Sequence, residues 1–129
     1  MSNLQGLMMF AAYFVSSLVL LALFARLYLL TTPYDDMNEI KKGNIAPAIA
    51  FAGAMLGFTF PLVVASYLHS AFVEFIVWGI ISCLIQLAVF NAFHRVLPRM
   101  IEANNAAVAL CFAIAAVCAG LINAASFVP

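Results

Sequence analysis

The sequence predicts an all-α membrane protein of four transmembrane helices, arranged as two tandem helical hairpins of the same orientation. Three observations carry that expectation. Hydrophobic residues make up 67% of the chain and charged residues only 8%, where a soluble domain is nearer half and a quarter, so the chain has too little polar surface to stay dispersed in water. The Lys and Arg residues, Arg26, Lys41, Lys42, Arg95 and Arg99, fall in two clusters that leave four long apolar stretches. Finally, the stretch that opens at Asn44 is similar to the one that opens at Asn105.

The first span is expected over roughly residues 7–30, ending at Thr31-Thr32-Pro33, where the proline disfavours helix in the residue before it. The segment ahead of it carries no Lys or Arg and its apolar run is long; it therefore reads as a retained span rather than a cleaved signal peptide, which needs a positive start and a short apolar core. A polar loop over residues 34–43 precedes the second span, roughly 44–67. A turn at His69-Ser70 leads to the third, roughly 71–93, and the fourth covers roughly 105–128. Each span of about 23 residues is roughly 34 Å long, enough to cross a bilayer with some tilt. In lipid every backbone polar group must be paired within the segment, which makes each span a helix.

Charge placement orients the bundle. Counting Arg26 as snorkelling from the end of the first helix, the loops 31–43 and 94–104 hold every Lys and Arg, and the termini and the middle turn hold none. The positive-inside rule then puts those two loops in the cytoplasm and both termini outside. In the similarity between the even spans, Asn44, Ala46, Ala48, Phe51, Ala52 and Ala54 match Asn105, Ala107, Ala109, Phe112, Ala113 and Ala115. The chain therefore reads as one integral membrane domain, residues 1–129, made of repeat one, about 7–67, and repeat two, about 71–128. Two same-way hairpins are related by an axis along the membrane normal.

Candidate functional positions are few. Ser82 and Gln86 lie in the middle of the third span, where a polar side chain faces another helix or a wet path. Glu74, in the first turn of the third helix, suits the helix dipole, and with His69 and Asn123 it would form an outer cation or proton site. Asn44 and Asn105 are expected as N-caps of the even helices. With Lys41, Lys42, Arg95 and Arg99 nearby they also outline an inner-face site for an anion or lipid headgroup. Gly53 and Gly57 form GxxxG, and Ala116, Gly120 and Ala124 repeat small residues at the same spacing; such faces pack helices closely, within one chain or between subunits. Pro61 removes the hydrogen bond to the Gly57 carbonyl and is expected to kink the second helix. Tyr28, Tyr34, Tyr67 and Trp78 read as interfacial anchors.

Other chemistry finds no purchase. Cys83, Cys111 and Cys118 sit singly inside apolar stretches and read as packing residues. His69 and His94, on opposite membrane sides, do not share a metal, and no Ser/His/Asp order, HExxH, P-loop or GxGxxG is present. The expectation is a protein that is not an enzyme, has no cofactor and, with zero formal net charge and no basic stripe, does not bind nucleic acid.

Thr32-Pro-Tyr-Asp-Asp, Lys42-Gly-Asn-Ile-Ala and Gly53-Ala-Met-Leu-Gly-Phe resemble the first half of the YjfL-type bacterial inner-membrane family, domain of unknown function 350. His69-Ser70, Glu74, Trp78, Leu97-Pro98 and Gly120-Leu-Ile-Asn-Ala-Ala resemble its second half, while Asn104 departs from the family pattern. The resemblance implies a small four-span inner-membrane protein and no established biochemistry. It also hints at a setting beside membrane-stress factors and ATP-grasp ligases. The functional expectation is a structural or interaction component of an envelope or membrane-stress system: lipid-embedded, homo-oligomeric, and meeting its partner through the cytoplasmic loops. The alternative is an oligomeric channel or transporter for ions or small solutes, with Ser82, Gln86, Asn123 or Glu74 facing the axis.

Overall fold

A computed structural model describes residues 3–31, 36–68, 71–94 and 103–127, without the side chains of residues 36, 68, 93 and 94. It contains α1 (Asn3–Thr31), a short α2 (Asp36–Lys41), α3 (Ile45–Leu68), α4 (Phe72–His94) and α5 (Ala106–Ala125). All but α2 are long and apolar enough to cross a membrane, and no strand occurs among the described residues. The spans fall close to their expected positions. The first helix begins earlier, at Asn3. The last ends earlier, at Ala125, where the Ser126 N–H reaches back to the carbonyls of Ile122 and Asn123. Helix α2 lies within what the sequence presents as a loop; it closes at Gly43, whose φ of +88° a side chain would resist.

Contacts along the helices give their directions. On α1, Leu20 meets Gly79 of α4, while Phe24 and Tyr28 meet Phe58 and Phe51 of α3; α1 runs against α3 and with α4. Helix α5 runs against α4, because Gln86 meets Ala116 and Ser82 meets Asn123. Consequently α3 and α5 run the same way, side by side, and theirs is the tightest pairing in the bundle. Helices α1 and α5 sit apart, each packed on both α3 and α4.

The core divides by depth. In the half holding Arg26, Lys41 and Lys42, Phe24 stacks on Phe58 with ring centroids 4.7 Å apart and meets Phe90 at 5.7 Å. Phe90 in turn contacts Tyr28 and Phe112. This joins all four spans through rings whose offset and edge-on contacts add to their burial. The other half is held by smaller contacts: Tyr13 on Phe72 and Phe75, Leu20 on Gly79, and Trp78 edge-on to Phe127. Large apolar side chains cover the outside of every span, including Leu7, Phe14, Leu56, Leu84 and Ile114. A helix apolar all round belongs in lipid.

Candidate functional site

Small residues bring α3 and α5 together, and this seam places the polar groups. A Cβ on Gly53 would run into Ala113, and one on Gly57 would come within 2.5 Å of the Ala116 carbonyl oxygen. A Cβ on Gly120 would overlap the Gly57 carbonyl. The GxxxG of α3 and the small-residue face of α5 therefore pack on each other within one chain. Helix α3 continues through Pro61. Lacking an N–H, Pro61 leaves the Gly57 carbonyl without its usual donor. Gly120 fills that place: its missing Cβ points at this oxygen, so a Cα–H takes up the contact, a weak bond of about 0.5–1 kcal/mol.

Beside the seam lie the polar residues of the membrane interior. Gln86 and Ser82 are 0% and 1% exposed and Asn123 is 9% exposed. Gln86 Nε2 donates to the Ala116 carbonyl at 3.1 Å. Asn123 Nδ2 faces the Ser82 carbonyl and Gln86 Oε1, each at 3.4 Å. The amides thus bind α4 to α5, each amide nitrogen facing at least one carbonyl oxygen, as hydrocarbon surroundings require. The Ser82 hydroxyl is buried here with no hydrogen-bond partner among the described residues.

Glu74 does not join this group. It is exposed in the first turn of α4, and eight residues of helix, about 12 Å, separate it from Ser82. Asn123 turns to Ser82 and Gln86 instead. The sequence put Asn123 at the depth of Glu74, counting both from the outer helix ends; the described α5 ends sooner than expected, and Phe127 already lies beside Trp78. Asn123 thus stands apart from Glu74, with which the sequence grouped it; His69, the third of that expected outer group, lies outside the described residues.

At the opposite end the N-termini of α3 and α5 are neighbours. Asn105 caps its own helix, its side chain accepting from Val108 N–H at 3.2 Å. The matching expectation for Asn44 needs correction: its side-chain amide donates to Glu39 Oε2. The Ala46 N–H, in the first turn of α3, is met by Asn104 Oδ1 at 3.0 Å, across the bundle. Asn104 does this from a φ of +64°, a left-handed conformation that asparagine tolerates better than most residues. Its preference for turns and caps was the signal in the sequence, but nothing local indicated that it would cap a different helix. Lys42 Nζ lies 3.6 Å from Glu39 Oε1, and Lys41 is exposed. Arg95 and Arg99 fall outside the described residues, as do Tyr34 and the Leu97-Pro98 motif. The aromatic cluster of Phe24, Phe58, Phe90 and Phe112 was also missed, because in uniformly apolar helices no periodicity separates inward rings from outward ones.

The chain matches the family model described as Domain of Unknown Function (DUF350) over residues 1–127. It is 32% identical to the UPF0719 inner membrane protein YjfL of Escherichia coli (strain K12) over 128 residues, 97% of each chain. It is also 32% identical to the UPF0719 transmembrane protein YshE of Bacillus subtilis (strain 168) over 103 residues, covering 76% of this chain and 77% of that one. No solved structure matches. With four membrane-length helices in the fold, the protein is a multi-pass inner-membrane protein, and the chain belongs to the DUF350 family.

Proposed function

We propose that this protein is a structural or interaction component of the inner membrane: a closed four-helix bundle that presents its basic end to a partner, in the setting of envelope or membrane-stress systems that the family resemblance suggests. One observation carries the reading. Ser82, Gln86 and Asn123, the polar residues best suited to line a path, are turned into the protomer between α4 and α5, where the two amides are hydrogen-bonded. A pore built on an oligomer axis needs such groups on an outer face, and there the helices present mainly Leu, Ile, Val and Phe, with Glu74 and Asn91 exposed only toward the two ends of α4. The same reading takes the protein as a non-enzyme, on the strength of the sequence motifs alone.

Two finer features belong to the same proposal. Arg26, Lys41 and Lys42 gather at one end of the bundle, which supports a cytoplasmic placement of that end and a periplasmic placement of both termini. The parallel pairing of α3 with α5 supports a description as two tandem hairpins. Homo-oligomers remain compatible with this reading, formed through faces other than the glycine seam. The test is flux. Protein reconstituted into sealed liposomes is expected to leave potassium, proton and small-solute leakage at the level of empty vesicles. Leakage well above that level, abolished by Gln86→Leu or Glu74→Ala, would replace this proposal with the channel reading.

A further inference from the structure

Helix α1 does not close against α3 along its whole length. In the half of the membrane opposite the basic end it leans toward α4, with Tyr13 packed on Phe72 and Phe75 and Leu20 on Gly79. That tilt opens a slot between α1 and α3 of about 200 Å³, walled by Phe14, Ser17 and Leu21 on one side and Thr59, Val63 and Ser66 on the other. It continues outward past Met9 and Tyr13 and reaches Tyr67.

The geometry points to a binding site for one acyl chain of a phospholipid from that leaflet. The hydroxyls in the α3 wall already donate within their own helix: Thr59 Oγ1 to the Met55 carbonyl at 2.9 Å and Ser66 Oγ to the Val63 carbonyl at 2.6 Å. The rest of the lining is apolar apart from Ser17 on the α1 wall, and a mostly apolar lining holds water poorly. A helix from a second copy is about 10–12 Å across and does not enter a slot of this size. The slot is continuous with the lipid-facing surface of α1, where Phe10, Phe14 and Leu18 are exposed. Its length fits as well. From Leu21 to Met9 the helix advances about 18 Å, against roughly 15 Å for half of a hydrocarbon core about 30 Å thick. Tyr67, 87% exposed at the mouth, stands where an interfacial phenol meets ester and headgroup oxygens.

The test uses the full chain purified in mild detergent and examined by native mass spectrometry during graded delipidation. The wild type is expected to keep one phospholipid per chain after the bulk lipid is gone. Ser17→Phe, which puts a ring into the slot, is expected to lose it at least tenfold more readily. Val19→Phe, on an exposed face of α1 outside the slot, is expected to keep it. Ser66→Phe serves as an independent obstruction nearer the mouth, and helix content by circular dichroism verifies the fold of each variant. Spin-labelled phospholipid in reconstituted wild type is expected to show a motionally restricted component that both slot variants reduce. The proposal is overturned if wild type retains no phospholipid, if folded Ser17→Phe and Ser66→Phe retain it as well as Val19→Phe, or if a prenyl lipid occupies the site instead.

Discussion

Replacing Gly120 by alanine isolates the seam that organises this bundle. In an open stretch of helix the change is favourable, since alanine exceeds glycine in helix propensity by about 0.8–1.0 kcal/mol. At Gly120 the new methyl overlaps the Gly57 carbonyl, and what it meets is backbone, which cannot rotate aside. Helices α3 and α5 must separate. Overpacking of this kind costs about 1–3 kcal/mol. The Cα–H contact to the Gly57 oxygen adds about 0.5–1 kcal/mol, and a strained Gln86–Ala116 hydrogen bond adds about 0.6 kcal/mol on the scale measured in membranes. After the propensity gain the net loss is about 2 kcal/mol, or about 30-fold in the unfolding equilibrium. Gly6 provides the control, because a Cβ there meets nothing within 4 Å; Gly6→Ala is expected to be neutral or stabilising by up to about 1 kcal/mol. Equilibrium unfolding in mixed micelles, followed by circular dichroism against the mole fraction of denaturing detergent, measures both. If Gly120→Ala proves as stable as wild type, or shifts in the same direction as Gly6→Ala, the close α3–α5 contact is refuted.

Other outcomes follow from the polar contacts and the charge distribution. Gln86→Leu and Asn123→Leu are each expected to destabilise by about 1 kcal/mol or less, and a double-mutant cycle between them to give a coupling near the 0.6 kcal/mol typical of membrane hydrogen bonds. Additive effects would mean that the two amides do not interact. Asn104→Ala removes the cap on the Ala46 N–H and the short polar side chain that makes φ +64° tolerable. It is expected to cost about 2 kcal/mol in the same unfolding assay, whereas Asn44→Ala costs a few tenths by losing a side-chain contact of a partly exposed loop. Equal effects at the two positions would contradict the cross-bundle cap. A periplasm-active reporter fused after Pro129 is expected to be active and a cytoplasm-active one silent; the reverse pattern would overturn the orientation.

The four spans and their alternation were legible because lipid imposes a coarse code: long apolar runs, broken where Lys, Arg and Pro collect. Packing within the bundle was less legible for the same reason. With Leu, Phe and Ala on every face, the sequence could not say that Phe24 and Phe90 point inward while Phe10 and Phe14 point out. Glycine spacing marked the seam but not its partner, since a GxxxG serves a neighbouring helix of the same chain or of another equally well. Polar residues were found individually, because a mid-span Gln stands out, yet their grouping depended on where α5 ends. That end is set by a helix cap at Ser126, which the apolar run concealed. The Asn104 cap illustrates the remaining limit. Its chemistry is local, but its target, 58 residues away, is decided by the parallel pairing of α3 and α5.

A closed bundle requires that Ser82, Gln86 and Asn123 be sealed from water. In a variant with Cys83, Cys111 and Cys118 replaced by alanine, Ser82→Cys in intact liposomes can be challenged from either side with a small, charged, membrane-impermeant thiol reagent, with Lys42→Cys as the reactive reference. Modification of Lys42→Cys within minutes while Ser82→Cys stays unmodified for hours is the expected result. Modification of Ser82→Cys at a comparable rate would mean that water reaches the interior of the bundle, and would contradict a closed, structural core.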